Sequence, residues 1–409
     1  MLRNKEVVLG VTGGIAAYKS AELVRELTKR GGNVHVVMTE NAKRFVTALT
    51  FQTLSGNPVL DDMYSLYTDS KIGHIAMASV ADLMVIAPAT ANILGKIANG
   101  IADELLSTMV TAMKCPVLLA PSMNVNMWES SVVQSNVDKL KAHGYQFVGP
   151  GKGALACGDV GEGRLADIEE IIEKIEDIFT PKDLSGQRIL VTAGPSLEPV
   201  DPIRYITNRS TGKMGFALAK MARRRGADVT LITGPHYLSL PRQDVPQVVV
   251  HSARDMHRVV MQRYDDCHIV IMAAAVADFR PEDTLKEKIK KRDGGYILEL
   301  KKNPDILKEL GKKKAHRILV GFAAETSELT ENAEQKLREK NLDLIVANDV
   351  TQPGAGFGVD TNIVKIIDAR GRVRKLPLML KDDVATLVLD QVVKLVKTQE
   401  KDRPWPRNW

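Results

Sequence analysis

Cysteine is almost missing from this chain: Cys115, Cys157 and Cys267 are the only three in 409 residues. They are too few and too scattered for a disulfide framework, and none falls in a C-x-x-C metal spacing. A reducing compartment fits such usage. Aromatic residues are also scarce, at 5%. No basic stretch is interleaved with them, which argues against a nucleic-acid-binding module. Long apolar runs are lacking too. The first one, residues 7–17, is broken by Gly10, Gly13 and Gly14 and is followed closely by Lys19. It reads as neither a secretory signal nor a membrane span, and a cytoplasmic location is expected. Charge of one sign is hardly in excess: 56 Lys and Arg face 50 Asp and Glu, a net +6. An anionic small molecule suits that balance at least as well as nucleic acid. Two further absences narrow the function. There is no G-x-G-x-x-G dinucleotide fingerprint and no G-x-x-x-x-G-K-[ST] loop, so a Walker-type NTPase is not expected.

What is present is a chain with 44% hydrophobic and 26% charged residues, ordinary for a globular protein with a large core. Short runs of Val, Ile and Leu recur at 6–11, 34–38, 83–87, 116–120, 188–191, 228–232, 268–272, 317–321 and 342–347. They do not alternate with polar residues. Strands buried on both faces of a parallel sheet read this way. Amphipathic segments long enough for crossover helices lie between them. The expected fold is therefore α/β, with two doubly wound Rossmann-like domains and mainly parallel sheets. Ile168, Ile171, Ile172, Ile175 and Ile178 share one helical face, and the turn-rich segment 180–186 follows. The expected domains are 1–182 and 183–400, with a mobile tail at 401–409.

Candidate sites collect where runs end. Gly13-Gly14-Ile15 closes the first run and enters a helix, an arrangement that lets backbone N–H groups approach a phosphate. A plain tight turn would look the same. Glu40 stands after the second run, where a ribose-binding acid would sit in an NAD protein, but the glycine spacing is wrong for one. Pro88, Thr90 and Ala91 end a third run. Pro121–Trp128, with Asn124 inside it, is a loop dense in Asn, Met and Trp. Cys157 stands between glycine-rich flanks, as on a mobile flap, whereas Cys115 and Cys267 read as small core residues. His74 stands alone, and a lone His is ordinarily structural. In the second half, Asn208–Gly215 brings small, hydroxylated and glycine residues into a helix start, which suits an anion site or an ordinary N-cap. Met272-Ala273-Ala274 leads to Asp278. Lys286, Lys288, Lys290, Lys291 and Arg292 then form a basic run, either a solvated face or a flap over a triphosphate.

Three of these motifs occur in one order: Pro-x-Met-Asn-x-x-Met-Trp at 121–128, Ala156-Cys157-Gly158, and Asn208-x-Ser-Thr-Gly-Lys-Met-Gly. Over nearly the whole chain, the sequence resembles the bifunctional phosphopantothenoylcysteine decarboxylase / phosphopantothenate–cysteine ligases of coenzyme A synthesis. The resemblance implies a flavodoxin-like FMN domain followed by a nucleotide-binding ligase domain. It implies that Gly13, Gly14, Ile15, Thr39, Pro88, Thr90 and Ala91 contact FMN. It also implies His74 as a catalytic residue, Asn124 as the holder of the substrate carboxylate and Cys157 as the proton donor. Such decarboxylases oxidise the substrate thiol to a thioaldehyde. The C=S group then accepts the electrons left by departing CO₂, giving an enethiolate that is reduced and protonated.

For the second half, the resemblance implies a CTP- and Mg²⁺-dependent ligase that forms an acyl-cytidylate for attack by cysteine. Asn208 would stabilise that intermediate and Lys288 would act in catalysis. Met272, Ala273, Ala274, Asp278, Lys288, Pro304, Asp305, Ile306, Leu307, Phe322, Lys336 and Lys340 would contact CTP, with Mg²⁺ bound through the nucleotide's phosphates. The substrates would be 4'-phosphopantothenate, cysteine and CTP, with neither nucleic acid nor membrane as partner. The resemblance also implies a homo-oligomer, a dodecamer of decarboxylase trimers joined by ligase dimers. One departure is Ala193-Gly194-Pro195-Ser196, where the family pattern carries Thr after Ala-Gly-x; the hydroxyl is kept. Two other readings are weighed. A flavin-binding regulatory or scaffold protein is disfavoured by the presence of His74, Asn124 and Cys157 together. An NAD-dependent oxidoreductase is disfavoured by the glycine spacing.

Overall fold

The computed structural model describes residues 2–63, 74–154, 160–236, 245–290, 296–325, 329–349 and 351–402. The chain divides into two compact units, Met1–Thr180 and Pro181–Trp409.

The first unit is built on β1 (Glu6–Val11), β2 (Asn33–Met38), β3 (Leu83–Ala89), β4 (Val117–Pro121) and β5 (Gln146–Phe147). They lie in the order β2-β1-β3-β4-β5, and every pair is parallel. Successive side chains leave a strand on opposite faces. Thus Val7 and Leu9 pack with the helices Ala17–Lys29 and Ile168–Phe179. Val8, Met84 and Ile86 pack on the other side, with Ala91–Ala98 and Leu105–Ala112. Both faces are covered, so the runs carry no polar alternation. A small antiparallel hairpin, β6 (Gly151–Ala154) and β7 (Val160–Arg164), stands apart from the sheet.

In the second unit, β8 (Arg188–Ala193) is followed by an antiparallel pair, β9 (Leu197–Pro199) and β10 (Tyr205–Thr207). Next come β11 (Asp228–Thr233), β12 (Gln247–Val249) and β13 (Ile269–Met272). A second antiparallel pair is β14 (Phe279–Pro281) with β15 (Leu300–Lys302). The chain continues with β16 (Ile318–Glu325), β17 (Leu344–Asp349), β18 (Thr361–Asn362), β19 (Val364–Asp368) and β20 (Val373–Lys375). The main sheet runs β12-β11-β8-β13-β16-β17-β19-β20. It is parallel through β17; the last two strands are antiparallel. That antiparallel edge was not expected from the sequence. The helices Lys213–Arg224 and Lys381–Asp402 cover one face. Ala253–Arg263, Ile306–Lys312 and Leu329–Glu339 cover the other.

The two units begin and end close to the expected boundary. The terminal helix runs to Asp402, two residues into the expected tail, whose residues 403–409 lie outside the described ones.

Arg225 ties the second unit together. The residue is only 4% exposed. It grips Asp183 through two bonds of 2.8 and 2.6 Å and reaches Asp390 at 2.8 Å. Asp183 precedes β8 and Asp390 lies in the terminal helix, so one side chain joins sequence-distant segments. The bond to Arg225 holds the Asp183 carboxyl below its ordinary range. Replacing Arg225 leaves partly buried carboxylates unpaired, yet both retain some access to water. Arg225→Ala is therefore expected to cost about 2 kcal/mol, read as a lower urea midpoint by circular dichroism. Lys5→Ala, at a more open pair with Asp82, should cost less than about 1 kcal/mol.

Candidate active sites

In an open parallel sheet, ligands collect at the carboxyl ends of the strands, where neighbouring connections leave in opposite directions. That point lies between β1 and β3 in the first sheet and between β8 and β13 in the second. Each unit has a cavity there.

The first cavity, about 600 Å³, is lined by Gly13, Gly14 and Ile15 after β1, Thr39 after β2, Thr90 and Ala91 after β3, and Asn124 after β4. Gly13 sits so tightly against Asn41 that a side chain there would overlap its Cβ and backbone. Thr12 donates to the Pro88 carbonyl at 2.6 Å and lies 3.3 Å from the Thr90 hydroxyl. These contacts fix the first loop against the third. Thr90 also caps the helix Ala91–Ala98. Pro88 itself is not among the lining residues; it contributes the carbonyl that holds Thr12.

Asn124 caps the short helix Val125–Glu129, accepting from the Asn126 amide at 2.8 Å. The base of the β6–β7 hairpin is docked beside it. The Met123 amide donates to the Gly163 carbonyl at 2.9 Å. Gly163 has φ 151° and packs where a Cβ would meet the Met123 carbonyl, so only glycine suits it. Cys157, expected on a mobile flap, lies outside the described residues. So does the side chain of His74, whose backbone opens the helix His74–Val80.

The cavity also includes Lys96 and Glu104, which sequence reasoning passed over. Burial works against the Lys96 charge, but bonds of 2.9 Å to Asp103 and Glu104 outweigh it and raise its pKa above the ordinary value. No local motif marks Lys96. Its i, i+4 offset from Asn92, which also lines the cavity, is the one clue.

The second cavity, about 420 Å³, is lined by Asn208, Met272, Ala273, Ala274, Asp278, Pro304, Asp305, Ile306, Leu307, Phe322, Lys336 and Lys340. It is thus the meeting place of nearly all the residues expected at a nucleotide site. Lys288 is the exception. It is exposed and does not line the cavity. Its segment is held elsewhere, because the Ile289 amide donates to buried Asp201 at 3.1 Å and the Leu285 amide to the Val200 carbonyl at 3.1 Å. Residues 291–295 of the basic run lie outside the described ones.

Around the switch point the chain crosses itself closely. The Ala275 amide donates to the Gly194 carbonyl at 2.9 Å, and the Asn208 amide group donates to the Ala275 carbonyl at 3.0 Å. Ser196, the position that departs from the family pattern, is buried and accepts from the Ala277 amide at 3.0 Å. Its hydroxyl therefore keeps a structural role. Gly215 meets β8 where a Cβ would lie 2.5 Å from that of Ala193. This brings the start of the helix Lys213–Arg224 against the sheet edge. On the other side, Asp305 caps the helix Ile306–Lys312 and pairs with Lys340 at 2.9 Å. The cavity extends further than expected, to Asn348, Gly356, Phe357, Asn362 and Lys381. Asn348 could have been found from the strand-end rule. Lys381 could not, since long-range packing alone brings it there.

The other cysteines match their plain reading. Cys267 is buried, and burial raises its thiol to about 11. Burial likewise raises the half-buried Cys115. Neither lines a cavity described above. Among the described residues no cluster of three or more His, Cys, Asp or Glu could hold a metal ion, and no helix is long and apolar enough to cross a membrane.

Comparison with known proteins bears on both units. Residues 1–180 match the family described as flavoprotein. Residues 184–396 match the C-terminal domain of the DNA/pantothenate metabolism flavoproteins. The coenzyme A biosynthesis bifunctional protein CoaBC of Bacillus subtilis is 50% identical, over 97% of this chain and 98% of its own length. The protein of the same name from Vibrio cholerae is 46% identical, over 95% of this chain and 98% of its own. A crystal structure of the C-terminal domain of coenzyme A biosynthesis bifunctional protein CoaBC is 42% identical, with a TM-score of 0.46; it covers 53% of this chain and 99% of that one. By the extent of the matches to these full-length relatives, which run through both units, the chain belongs to the family of coenzyme A biosynthesis bifunctional proteins.

Proposed function

We propose that the chain is a two-activity enzyme of coenzyme A synthesis. Its second unit joins cysteine to 4'-phosphopantothenate at the expense of CTP, and its first unit decarboxylates the product to 4'-phosphopantetheine with FMN. The observation that carries this reading is the pair of cavities, each at a switch point. The first gathers the expected flavin-contact residues except Pro88, together with Asn124; the second gathers the expected nucleotide residues except Lys288.

In the first unit, Gly13 and Gly14 line the cavity without side chains, and Gly13 packs on Asn41 where a Cβ would collide. Such a surface suits a phosphate and a flat ring. FMN, when bound, supplies the two-electron chemistry that carbon–carbon cleavage needs. The protein's own residues do the rest. Asn124 orients the substrate carboxylate. The glycine-docked hairpin delivers Cys157 as a proton donor and excludes water. His74 takes part in catalysis on this reading.

In the second unit, Asn208 is held at the crossing of β8 and β13. There it can stabilise the charge that develops when a carboxylate is activated by a nucleotide. Lys336 and Lys340 stand beside the nucleotide, and Mg²⁺ enters on its phosphates. Lys288 reaches the nucleotide only if its segment leaves Asp201. The enzyme works in the cytoplasm as a homo-oligomer, a dodecamer of first-unit trimers and second-unit dimers.

The first test is the visible spectrum of the purified chain, with chromatography of whatever heat releases. A yellow protein yielding FMN is expected, and Gly13→Val should be colourless while still folded. A colourless wild type that takes up no added FMN would remove the decarboxylase reading. The second test separates the two chemistries. Cys157→Ser should lower decarboxylation at least about a hundredfold, the contribution of a positioned acid, and leave pyrophosphate release from CTP unchanged. Asn208→Asp should do the reverse. If both variants run the coupled reaction at the wild-type rate, these roles are wrong.

A further inference from the structure

The segment after β17 is irregular and glycine-rich, yet it walls the second cavity through Gly356 and Phe357. Its shape comes from side chains that bind its carbonyls one after another. Thr361 donates to Gly354 at 2.7 Å and Asn348 to Ala355 at 3.0 Å. Lys381 donates to Gly356 at 3.4 Å, to Phe357 at 3.3 Å and, most closely, to Val359. Thr211 also donates to Phe357, at 2.8 Å, and Lys213 to Gly358, at 2.8 Å. Every carbonyl from Gly354 to Val359 is thereby turned onto a clamp. In a planar trans peptide the N–H points opposite to the C=O. The amides of Gly356, Phe357 and Gly358 are accordingly turned away from the clamp, and they donate to no acceptor among the described residues. Close by, the Asn348 Oδ1 is buried without a hydrogen-bond partner.

Lys381 is the centre of this clamp. It is 6% exposed, and all three of its donors go to neutral carbonyls rather than to a carboxylate. Asp360, the acid beside it, is taken by Lys213 at 2.6 Å. The clamp also lies on one side of the sheet. Thr211, Lys213 and Lys381 belong to the layer of the helices Lys213–Arg224 and Lys381–Asp402. Pro304–Leu307, Lys336 and Lys340 belong to the opposite layer. The cavity straddles the strand ends between them.

We propose that Lys381 is a positioning residue of the ligase site, holding the Gly356 and Phe357 amides toward the acyl substrate while the nucleotide occupies the opposite layer. This rests on the ligase reading above. Unpaired N–H donors backed by two lysines suit an anionic, phosphorylated acyl substrate. The open Asn348 acceptor suits an amide or hydroxyl donor on the same molecule. Lys381 touches neither reactant on this account; it acts through the loop. Burial, and then the charge of Lys213, draw its pKa down to about 8, against the weaker opposing pull of Asp360. On the same helix turn lie Asp382, which pairs with Lys220 at 3.1 Å, and Asp383. Below that pKa the ammonium holds all its carbonyls; above it a donor is lost and the loop loosens.

The test is steady-state pyrophosphate release by the full chain. Lys381→Met should raise KM for 4'-phosphopantothenate about tenfold, the effect of one ordinary hydrogen bond, with KM for CTP changed by less than about twofold. Thr211→Val, which removes a single clamp bond, should shift the same KM in the same direction by less. In the wild type, KM for the acyl substrate should climb as pH rises through about 8. In Lys381→Arg it should stay flat, because the guanidinium does not titrate. An unchanged circular dichroism spectrum and urea midpoint of the full chain, with KM for CTP retained, report that the second unit of each variant is folded. An unchanged acyl-substrate KM in active Lys381→Met, or an equal rise for CTP, would overturn the proposal. A wild type that releases no pyrophosphate from CTP would instead overturn the ligase reading, and this inference with it.

Discussion

The constraint on which the rest of this structure depends is that parallel strands cannot be joined by tight turns. Each connection must cross back over the sheet, so every strand delivers its carboxyl end to the same edge. Where successive crossovers leave in opposite directions, the edge opens into a crevice. In the first unit this happens between β1 and β3, and in the second between β8 and β13. The loops that carry chemistry are therefore brought together by topology before any side chain is chosen. Gly13 and Thr90 are distant in sequence but meet because β1 and β3 are neighbours. Gly194 and Ala275 meet because β8 and β13 are.

That constraint explains which parts of the molecule could be read from the chain. Runs buried on both faces have no alternating pattern, and they were identifiable as parallel strands from Val, Ile and Leu alone. The helix Ile168–Phe179 was equally legible, because Ile171, Ile172 and Ile175 form a single buried stripe. The small antiparallel elements were not. β6 and β7 are rich in glycine and lie off the main sheet, so their residues show neither period. β20, with all three residues exposed, likewise has no apolar signature.

The sites divide along the same line. Residues that sit directly on strand ends, such as Thr90 and Met272, could be placed by position alone. The remaining assignments came from the resemblance. Lys96, Glu104 and Lys381 reach the cavities from helices, where nothing in the neighbouring residues announces them. Lys288 shows the opposite failure. A basic run after a strand end looks like part of a phosphate site, but the backbone of this segment is committed to Asp201 and Val200. The charge pattern is local, whereas the place of the loop is decided by a buried carboxylate nearly ninety positions away.

The two cavities solve different physical problems with the same edge. The first needs a surface of backbone, since bulky side chains would keep a flat cofactor and its phosphate out. Gly13, Gly14 and Gly163, which line it, contribute no side chain, and at Gly13 and Gly163 a Cβ would also collide with Asn41 and Met123. On the proposed ligase reading, the second would need two anionic reactants to approach despite their mutual repulsion. Lysines placed in both layers answer this: Lys336 and Lys340 on one side of the sheet, Lys213 and Lys381 on the other. Yet Lys381 spends its donors on loop carbonyls, and Lys213 divides its own between a loop carbonyl and the Asp360 carboxylate. A cation used in this way cannot bond strongly to a ligand itself. It contributes its field, and it fixes the direction of amides that can bond. Such donors cannot rotate away and carry little side-chain entropy, so the ordering cost falls on the fold rather than on each binding event.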